Sequence, residues 1–596
     1  MYTNNQLPGA KGEGALRRRS CLSDLMTRLA GIGQPNFPDL IKALLRTSLV
    51  VLAIVARCNA QTPAFPGAQG GGAAAVGGRG GQAIEVTNLQ DSGEGSLRAC
   101  IEARGPRTCV FKVGGVIHVG VGMRVYNDNL TIAGQTAPGG GITVDGSHSS
   151  VQATLFVSAS NVIVRYITIR MGDGPSHRPG PSTGDVAIEV ANSKCHDIIF
   201  DHVSVSWWDN KGLVYVSNFI GPNTRITTEW SMFYESHAGH PVGPSISSNP
   251  NPGQGFDNLE TDLDYHHNLF ADIGHRIPQL WNKSSRWVNN IVYNWDFYAS
   301  QMLGQVNGDF IGNKYKAGPL NHDAQPHEIE ASPNGAWENK GTPSIYLFGN
   351  VGQNLSNPSG DQWTMAAQIT GENGKEIGPI PAAWRRNDPL PALQFAIVAD
   401  PALELDARVL STVGNSLRLD CLGNWVSKRD AVDTRIVAEY RSGTIGDFYI
   451  SEDVSHKIPA IEAGTACQDS DHDGIPDAWE IAHGLNPQDA SDAKKLNPDG
   501  YTNLEHYLNG SPLSAQVAGV LGSTMAGVDP VEPQSQPTMM ESLRRQGLRL
   551  SYRVAARVRR SRGYISWLLA PVILLFLLLL GRLFGHRRKS GITAKS

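Results

Sequence analysis

The residues with the most specific chemical pattern form an acidic loop. Its oxygen-bearing side chains stand at loop positions 1, 3, 5, 9 and 12, with Gly474 at position 6. These side chains belong to Asp469, Asp471, Asp473, Asp477 and Glu480. Carboxylates at this spacing can surround a Ca²⁺ ion, and the glycine permits the sharp turn that such a loop needs. The pattern predicts a calcium site rather than a generic acidic turn.

A second set of chemically distinctive motifs is spread along the chain. They are residues 92–98 (SGEGSLR), 105–111 (GPRTCVF), 129–139 (NLTIAGQTAPG), 200–202 (FDH), 266–270 (HHNLF) and 276–278 (RIP). In this order they resemble the bacterial pectate lyase family over roughly residues 64–460. Long ordered runs of this kind are far more specific than any single tripeptide.

The resemblance implies a right-handed parallel β-helix with a groove for polygalacturonate, which is an acidic pectic polysaccharide. It also implies Ca²⁺ as the cofactor and β-elimination as the reaction. The chemistry is sound, because a cation that neutralises the uronate carboxylate acidifies the neighbouring C5 hydrogen. A base then removes that hydrogen, and the glycosidic oxygen at C4 departs. A hard, oxygen-seeking cation such as Ca²⁺ suits this task.

The resemblance also implies roles for individual residues. Arg276 matches the catalytic base of an R-x-P motif in which Pro278 is the last residue, and Asp201 with His202 matches a structural Asp-His motif. An arginine base is chemically demanding, because guanidinium normally stays protonated near pH 7. The alternative for Arg276 is a clamp that binds a substrate carboxylate.

Two aspartates match the family's calcium ligands. Asp185 precedes the Asp-His motif by one repeat, and Asp209 follows it, after two tryptophans. The acidic residue that usually comes next is missing from positions 213–216. The predicted set of catalytic calcium ligands is therefore Asp185 and Asp209.

The substrate-binding positions depart from the family pattern. His237 and His240 stand where a lysine is usual, and Trp281 replaces the second arginine of the R-x-P-x-x-R motif. The histidines could bind a carboxylate, donate a proton to the leaving group or be ordinary loop residues. Trp281 could stack on a sugar ring or pack inside the protein. All three are predicted substrate contacts.

The elements that position these residues are short strands. Between residues 61 and 460 apolar and polar residues alternate in short runs, which predicts half-buried strands. The runs recur at irregular spacing, and the same polar residue accompanies the same apolar pattern in successive units. A β-sandwich would also give short alternating strands, but such side-chain ladders favour a solenoid. The predicted fold class is all-β, with residues 61–460 forming the parallel β-helix.

The ends of the chain carry export and membrane features. Residues 1–60 contain basic residues, a short apolar run and small residues ending at Ala60, which predicts a signal peptide and an exported, extracellular or cell-surface protein. Residues 511–563 form a linker and a basic stretch, 564–585 a transmembrane helix or a sorting signal that is cut off, and 586–596 a basic tail. Export permits disulfides among the five cysteines beyond Ala60.

Residues 467–510, which contain the acidic loop, form a separate predicted module. A degenerate second loop follows at residues 497–505, and the pair resembles thrombospondin type 3 or dockerin-like calcium repeats. The resemblance implies a small EF-hand-like spacer whose fold is fixed by calcium. A true dockerin would instead bind a scaffold protein.

Several function classes remain beside the calcium-dependent pectate lyase. A net charge of −4 over 596 residues gives no reason to expect a nucleic-acid partner, and a monomer is expected. A polygalacturonase would need paired carboxylates, which no motif supplies. A pectin lyase, a lyase for another acidic glycan and a non-catalytic polysaccharide-binding β-helix remain as alternatives.

Overall fold

The computed structural model describes most of the chain between residues 61 and 510. The described ranges are 61–147, 153–171, 186–191, 194–208, 211–216, 222–235, 245–246, 259–321, 324–335, 340–371, 374–446 and 458–510. Within these ranges no helix is long and apolar enough to cross a membrane. The predicted signal peptide at 1–60 and the predicted hydrophobic span at 564–585 lie outside the described residues.

Most of the described chain consists of short parallel strands in four sheets, which we call A to D. Sheet A contains β1 (Gln82–Val86), β2 (Arg107–Phe111), β5 (Leu130–Ala133), β8 (Val162–Arg165), β11 (His196–Asp201), β14 (Thr224–Glu229), β17 (Thr261–His266), β20 (Ser284–Val288), β23 (Asn307–Ile311) and β26 (Ser344–Phe348). Sheet B contains β3 (Gly115–His118), β6 (Ile142–Asp145), β9 (Thr168–Arg170), β12 (Ser204–Ser206), β15 (Met232–Tyr234), β18 (Leu269–Ala271), β21 (Ile291–Tyr293) and β24 (Lys314–Lys316).

The third face of the solenoid is divided between sheets C and D. Sheet C contains β4 (Met123–Val125), β7 (Ala153–Val157), β10 (Val186–Ala191), β13 (Lys211–Val216) and β16 (Ser245–Ile246). Sheet D contains β19 (Gln279–Leu280), β22 (Ser300–Leu303), β25 (Ile329–Ser332), β27 (Ala366–Ile369) and the antiparallel β28 (Glu376–Pro379). Apart from these, β29 (Leu417–Leu419) and β30 (Trp425–Ser427) form a small antiparallel pair.

Strand order shows how the chain coils. Neighbours in sheet A, such as β8, β11 and β14, are separated in the sequence by one strand of sheet B and one of sheet C. In this part of the chain each coil therefore adds one strand to each of three faces, and the strands of neighbouring coils pair in parallel. This arrangement confirms the predicted parallel β-helix and excludes the β-sandwich alternative.

The interior is filled by columns of aliphatic side chains. In sheet A, Leu130, Val162, Ile198, Ile226 and Leu263 occupy paired positions on successive coils, and all are fully buried. Burying one such side chain stabilises a fold by about 1.5–3 kcal/mol. The apolar residues of the alternating runs therefore face inward, as the sequence pattern predicts.

An asparagine ladder lines the corner between sheets A and B. The side-chain amide of Asn268 donates to Asn290 over 2.9 Å, and that of Asn313 donates to Asn350 over 2.9 Å. Asn290 donates to Asn313 over 3.4 Å, which joins the two pairs into one row. These hydrogen bonds satisfy buried polar groups at a tight turn, and they confirm the predicted side-chain ladders.

Two disulfides and five short helices complete the described structure. Cys100 bonds to Cys109 and Cys421 bonds to Cys467, and the remaining cysteine of the described residues, Cys195, is a buried thiol. The helices are α1 (Leu97–Glu102), α2 (Leu405–Val409), α3 (Ala431–Ser442), α4 (Asp477–His483) and α5 (Asn503–Asn509). Helix α3 lies inside the region predicted as all-β, so the absence of a helix there was a wrong prediction. Its polar residue Asp433 is buried against Arg170 of sheet B, which hid the helical pattern.

Residues 385–446, which we call the return segment, run back along the outside of the coils. Asp400 contacts His267, Gly414 donates its backbone N–H to the carbonyl of Trp230, and the amide of Asn415 donates to Thr168. Up to Arg418, which contacts Gly140, the partners come from progressively earlier coils, and helix α3 then runs back toward Tyr293.

The last described residues, 458–510, form a compact C-terminal module. Ile475, Trp479 and Leu504 of the module share one apolar cluster with Val110 and Ala133 of the first coils. The chain therefore ends, within the described residues, where its β-helix begins.

Candidate active site

The predicted groove residues lie in equivalent connecting segments of the sequence. Each segment joins a strand of sheet B to the following strand of sheet C or D. Asp185 directly precedes β10, Asp209 precedes β13 by two positions, and Arg276 lies shortly before β19. His237 and His240 precede β16 in the same way. Of these residues only Arg276 lies within the described ranges. We call this connection the B–D corner where it leads into sheet D.

Arg276 occupies a constrained place at the B–D corner. It is partly buried, and its backbone is in the left-handed region with φ of 64°. Pro278 follows after a cis peptide bond, and its carbonyl accepts a hydrogen bond from the backbone of Gln301 over 2.8 Å. The motif is thereby held to the next coil on the side where sheet D begins.

The guanidinium of Arg276 is held by a tyrosine from the next coil. Its Nε lies 3.4 Å from the hydroxyl oxygen of Tyr298, and Nε2 of Gln279 donates to the same hydroxyl over 3.1 Å. Both nitrogens are hydrogen-bond donors, so the hydroxyl oxygen is the acceptor for both.

A polar ladder continues inward from Gln279. Its Nε2 donates to Oε1 of Gln301 over 3.0 Å, and Nε2 of Gln301 donates to Oε2 of Glu330 over 2.6 Å. The three side chains occupy paired positions on β19, β22 and β25, and all three are fully buried. Burial raises the pKa of Glu330 to about 8, against the opposing effect of the Gln301 hydrogen bond.

Trp281 is buried at the same corner. Only 8% of its surface is exposed, and it packs against Leu303 and Ile369. The structure thus gives it a packing role, and the predicted contact with substrate stays a prediction.

Asp201 and His202 lie at a different corner, between sheets A and B. The carboxylate of Asp201 contacts Nδ1 of His202 over 2.6 Å and accepts from Nε of Arg165 over 2.7 Å. Although burial alone would raise it, His202 and Arg165 hold the pKa of Asp201 below its usual value. The ring of His202 stacks between Tyr166 and Trp230. These contacts fit the structural role implied for the motif.

The acidic loop brings carboxylates together at the surface of the first coils. Oxygens of Asp469, Asp471 and Asp473 lie within 4.8 Å of one another, and Asp473 also groups with Glu480 and Asp492. Glu480 is 0% exposed, yet neither of its carboxylate oxygens has a hydrogen-bond partner within the described part of the chain. Buried oxygens without donors are costly, and a hard cation would satisfy them.

The ligand pattern differs from the predicted one at one position. Asp477, predicted as a ligand, accepts hydrogen bonds from the backbone N–H and the hydroxyl of Ser470, both over 2.7 Å. Asp492, which lies outside the loop pattern, places its carboxylate in the group instead. The spacing of the acidic loop could not predict Asp492, because this residue belongs to a separate turn that follows the loop.

Burial and the repulsion between neighbouring carboxylates disfavour the ionised form of Glu480 and Asp473 when no cation is bound. Burial, with neighbouring aspartates, raises the pKa of Glu480 to about 8 and that of Asp473 to about 7. Lys112, which follows β2 of the first coils, contacts Asp469 over 2.9 Å. The residues present therefore fit a divalent cation bound by oxygen atoms.

Comparison with known proteins places the chain in a family. It is 34% identical over 473 residues to "Probable pectate lyase C" of Aspergillus terreus, covering 78% of this chain and 98% of that protein. The protein of the same name in Neosartorya fischeri is 33% identical and is covered to 96% of its length. The chain belongs to the pectate lyase family. No family model matches the chain.

The predicted family is thereby confirmed, and with it the lyase class of enzyme. Both of these pectate lyase relatives are fungal, so the resemblance to bacterial enzymes in particular stays a prediction. Among solved structures, the cedar pollen allergen jun a 1 matches with a TM-score of 0.43 at 16% identity, covering 58% of this chain and 92% of that one. A pectate lyase from Bacillus sp. N165 in complex with trigalacturonate matches with a TM-score of 0.39 at 15% identity, covering 58% and 98%.

In this pectate lyase family member, the residues around Arg276 that come from the next coil were not predicted from the sequence. Tyr298 lies 22 residues after Arg276, and Gln301 lies 22 residues after Gln279. This constant offset is the length of one coil at the corner. A search for polar residues one coil after the R-x-P motif would have found both.

Proposed function

We propose that this chain cleaves de-esterified polygalacturonate by β-elimination, with Ca²⁺ as cofactor and Arg276 as the base. The observation that carries the proposal is the setting of Arg276, which is partly buried and oriented by the hydroxyl of Tyr298. An orienting contact at Nε fixes the plane of the guanidinium. The family membership makes the acidic pectic polysaccharide the expected substrate.

The reaction requires a base beside C5 and a cation at the uronate carboxylate. Arg276 must approach C5 of a galacturonate unit with a nitrogen that can accept its proton, while C4 loses the glycosidic oxygen. Calcium, when bound, neutralises the uronate carboxylate and so acidifies the C5 hydrogen. A positioned base contributes about 10²- to 10⁴-fold to the rate.

Asp185 and Asp209 are the proposed ligands of this catalytic calcium. Both stand, in the sequence, just before strands of sheet C, in the connection equivalent to the one that carries Arg276. His237 and His240, from the same connection one coil further, are the proposed contacts for a substrate carboxylate or the leaving oxygen. Trp281 is retained as a proposed neighbour of the substrate.

A second calcium ion is proposed for the C-terminal module. Its ligands would be Asp469, Asp471, Asp473, Glu480 and Asp492, supported by the unpartnered carboxylate oxygens. Asp477, in the predicted set, orients the loop through Ser470. This ion stabilises the module, as in an EF-hand-like or thrombospondin type 3 repeat, and lies apart from the chemistry.

The proposed setting is outside the cell. The N-terminal signal pattern and two disulfides support export. The apolar segment at 564–585 would serve either as a membrane anchor or as a sorting signal.

The experiment measures the ultraviolet absorbance of unsaturated uronate ends. Residues 61–510 are the part that the structure describes, and the full exported chain is assayed beside them on polygalacturonate with calcium or with chelator. We expect calcium-dependent product, and a loss of about 10²- to 10⁴-fold in Arg276→Ala. Arg408→Ala, at an exposed arginine on helix α2 that pairs with Glu404, is the matched control and should keep full activity.

The alternatives give different results in the same assay. Product from methylated pectin alone would indicate a pectin lyase. No product from either substrate would contradict the lyase proposal and favour another acidic glycan or a non-catalytic binding protein.

A further inference from the structure

A cavity of about 550 Å³ lies at the end of sheet D that is farthest from β19. Its wall is formed by the residues that lead into β25 and β27, by β28 and by the turn that follows β28. Its lining includes His327, Asp361, Trp363, Glu376, Gly378 and Arg385. They lie on strands and turns other than those that carry Arg276 and Tyr298.

The cavity is aligned with Arg276 along the solenoid. Register pairs Gln279 of β19 with Gln301 of β22, and Ser300 of β22 with Ile329 of β25. Ile329 pairs in turn with Ala366 of β27. The corner positions before these strands therefore form one row. Three strand spacings, about 14 Å, separate its two ends.

One wall of the cavity combines an aromatic ring and a cation. The guanidinium carbon of Arg385 lies 4.6 Å from the centre of the Trp363 ring. Its Nε and Nη2 both donate to the carbonyl of Ile380, over 3.1 and 2.6 Å. Nη1 has no hydrogen-bond partner among the residues that the structure describes. A guanidinium held in this way presents a fixed donor to a carboxylate.

The acidic residues of the cavity are already engaged by local groups. Glu376 accepts from the backbone N–H of His327 and lies 2.8 Å from its Nδ1. Asp361 accepts the backbone N–H of Trp363. The side chain of His327 is 33% exposed. At Gly378 an added Cβ would meet open space, so β28 presents bare backbone to the cavity.

We propose that this cavity is a distal subsite that binds one galacturonate unit of an acidic pectic chain. The carboxylate of that unit binds Nη1 of Arg385, and the sugar ring packs beside Trp363. This inference rests on the proposed function for the identity of the sugar. A long substrate then binds at two points, at Arg276 and at Arg385 in the cavity three coils away. A short substrate reaches only Arg276.

The test compares oligogalacturonates of increasing length. Affinities are measured by calorimetry in Arg276→Ala protein, so that turnover does not interfere. Adding Arg385→Ala or Trp363→Ala should weaken long oligomers at least tenfold and leave the shortest ones unchanged. Adding the control Arg408→Ala should change neither. In the active protein, Arg385→Ala should raise KM for the polymer and leave kcat within twofold.

Two results would overturn the inference. One is an equal loss of affinity at every length, and the other is no loss at any length. Arg385→Gln, which keeps the bulk of the side chain, replaces Arg385→Ala if the latter lowers the unfolding temperature. A chain that forms no unsaturated product but binds long oligogalacturonates through Arg385 would keep the subsite and contradict the lyase.

Discussion

At the scale of the residue, Tyr298 determines how Arg276 is presented. Its hydroxyl accepts from Nε of Arg276 and from Gln279, so the guanidinium is tied to a group that is itself anchored in sheet D. Catalysis by positioned groups is sensitive to small displacements, and a shift of about 1 Å can cost about 10²-fold in rate. We therefore regard Tyr298 as a positioning residue for the proposed base.

We expect Tyr298→Phe to lower kcat by about 10- to 100-fold, because Arg276 loses its orienting acceptor. KM should stay within twofold, and the calcium requirement should not change. Initial rates on polygalacturonate measure this. The matched control is Tyr315→Phe, a buried tyrosine of β24 whose hydroxyl pairs with Ser300. Equal losses in both variants would mean a general packing effect and contradict the positioning role.

Arg276 itself was found from the R-x-P motif, because adjacent residues keep their spacing in any fold. Tyr298, Gln301 and Glu330 were missed because their proximity depends on coil length. Asp492 was not predicted to join the carboxylate group, because it follows the loop on a separate turn. Sequence spacing thus predicts which residues of one loop come together, but not which residues of neighbouring coils or turns do.

At the scale of the element, sheet D carries a buried polar ladder that responds to pH. Gln279, Gln301 and Glu330 hydrogen-bond across three neighbouring strands, and one oxygen of Glu330 has no partner within the described residues. Burial raises the pKa of Glu330 to about 8. In an unfolded chain a glutamate has a pKa of about 4.3. Between these values the folded protein binds more protons than the unfolded chain.

The contribution of Glu330 to the free energy of unfolding should therefore fall as the pH rises from about 4.5 to 8. Glu330→Gln removes this slope, because glutamine keeps the acceptor for Gln301 and has no proton to lose. Over that range we expect the variant to gain stability over the unsubstituted protein, by at most about 1.4 kcal/mol for each step of one in pH. Urea unfolding at several pH values measures the difference. Exposed Glu404→Gln is the control, and a difference independent of pH would contradict the assignment.

The strands themselves were predictable, because alternation at period two fixes which side chains face inward. Their pairing partners were indicated by the repeated asparagine, which became the ladder from Asn268 to Asn350. Helix α3 was not predicted. Its side chains Asp433 and Arg435 are satisfied by Arg170 and Glu235 of distant coils, so polarity in this helix does not mark exposure.

At the scale of the whole molecule, the C-terminal module is attached to the first coils by several polar contacts. Lys112 pairs with Asp469, Glu85 with His472 and Arg79 with Glu505. The Cys421–Cys467 disulfide joins the return segment to the start of the module. The proposed ion lies at this junction, so its binding should stabilise the attachment of the module.

We expect calcium to raise the unfolding temperature of Arg276→Ala protein, in which no substrate is turned over. Binding to the folded state alone contributes about 2.7 kcal/mol at a ligand concentration 100 times Kd. Adding Asp492→Asn should remove most of that increase, since it deletes a ligand charge. Asp489→Asn, at an exposed neighbour whose side chain bonds only to Ser491 among the described residues, is the control. A full calcium effect in Asp492→Asn would contradict its assignment as a ligand.

The return segment affects how the β-helix unfolds. Solenoids usually fray from their ends, because each repeat contacts only its neighbours. Here residues 390–418 contact coil after coil, from Asp309 back to Gly140, and helix α3 then contacts later coils again, up to Tyr293. Residues 458–510 form the module on the first coils. A terminal coil therefore cannot unfold without breaking its contacts with the return segment. We expect the two ends to unfold in one cooperative transition, with hydrogen-exchange protection as strong at β1 and β2 as in the middle of sheet A.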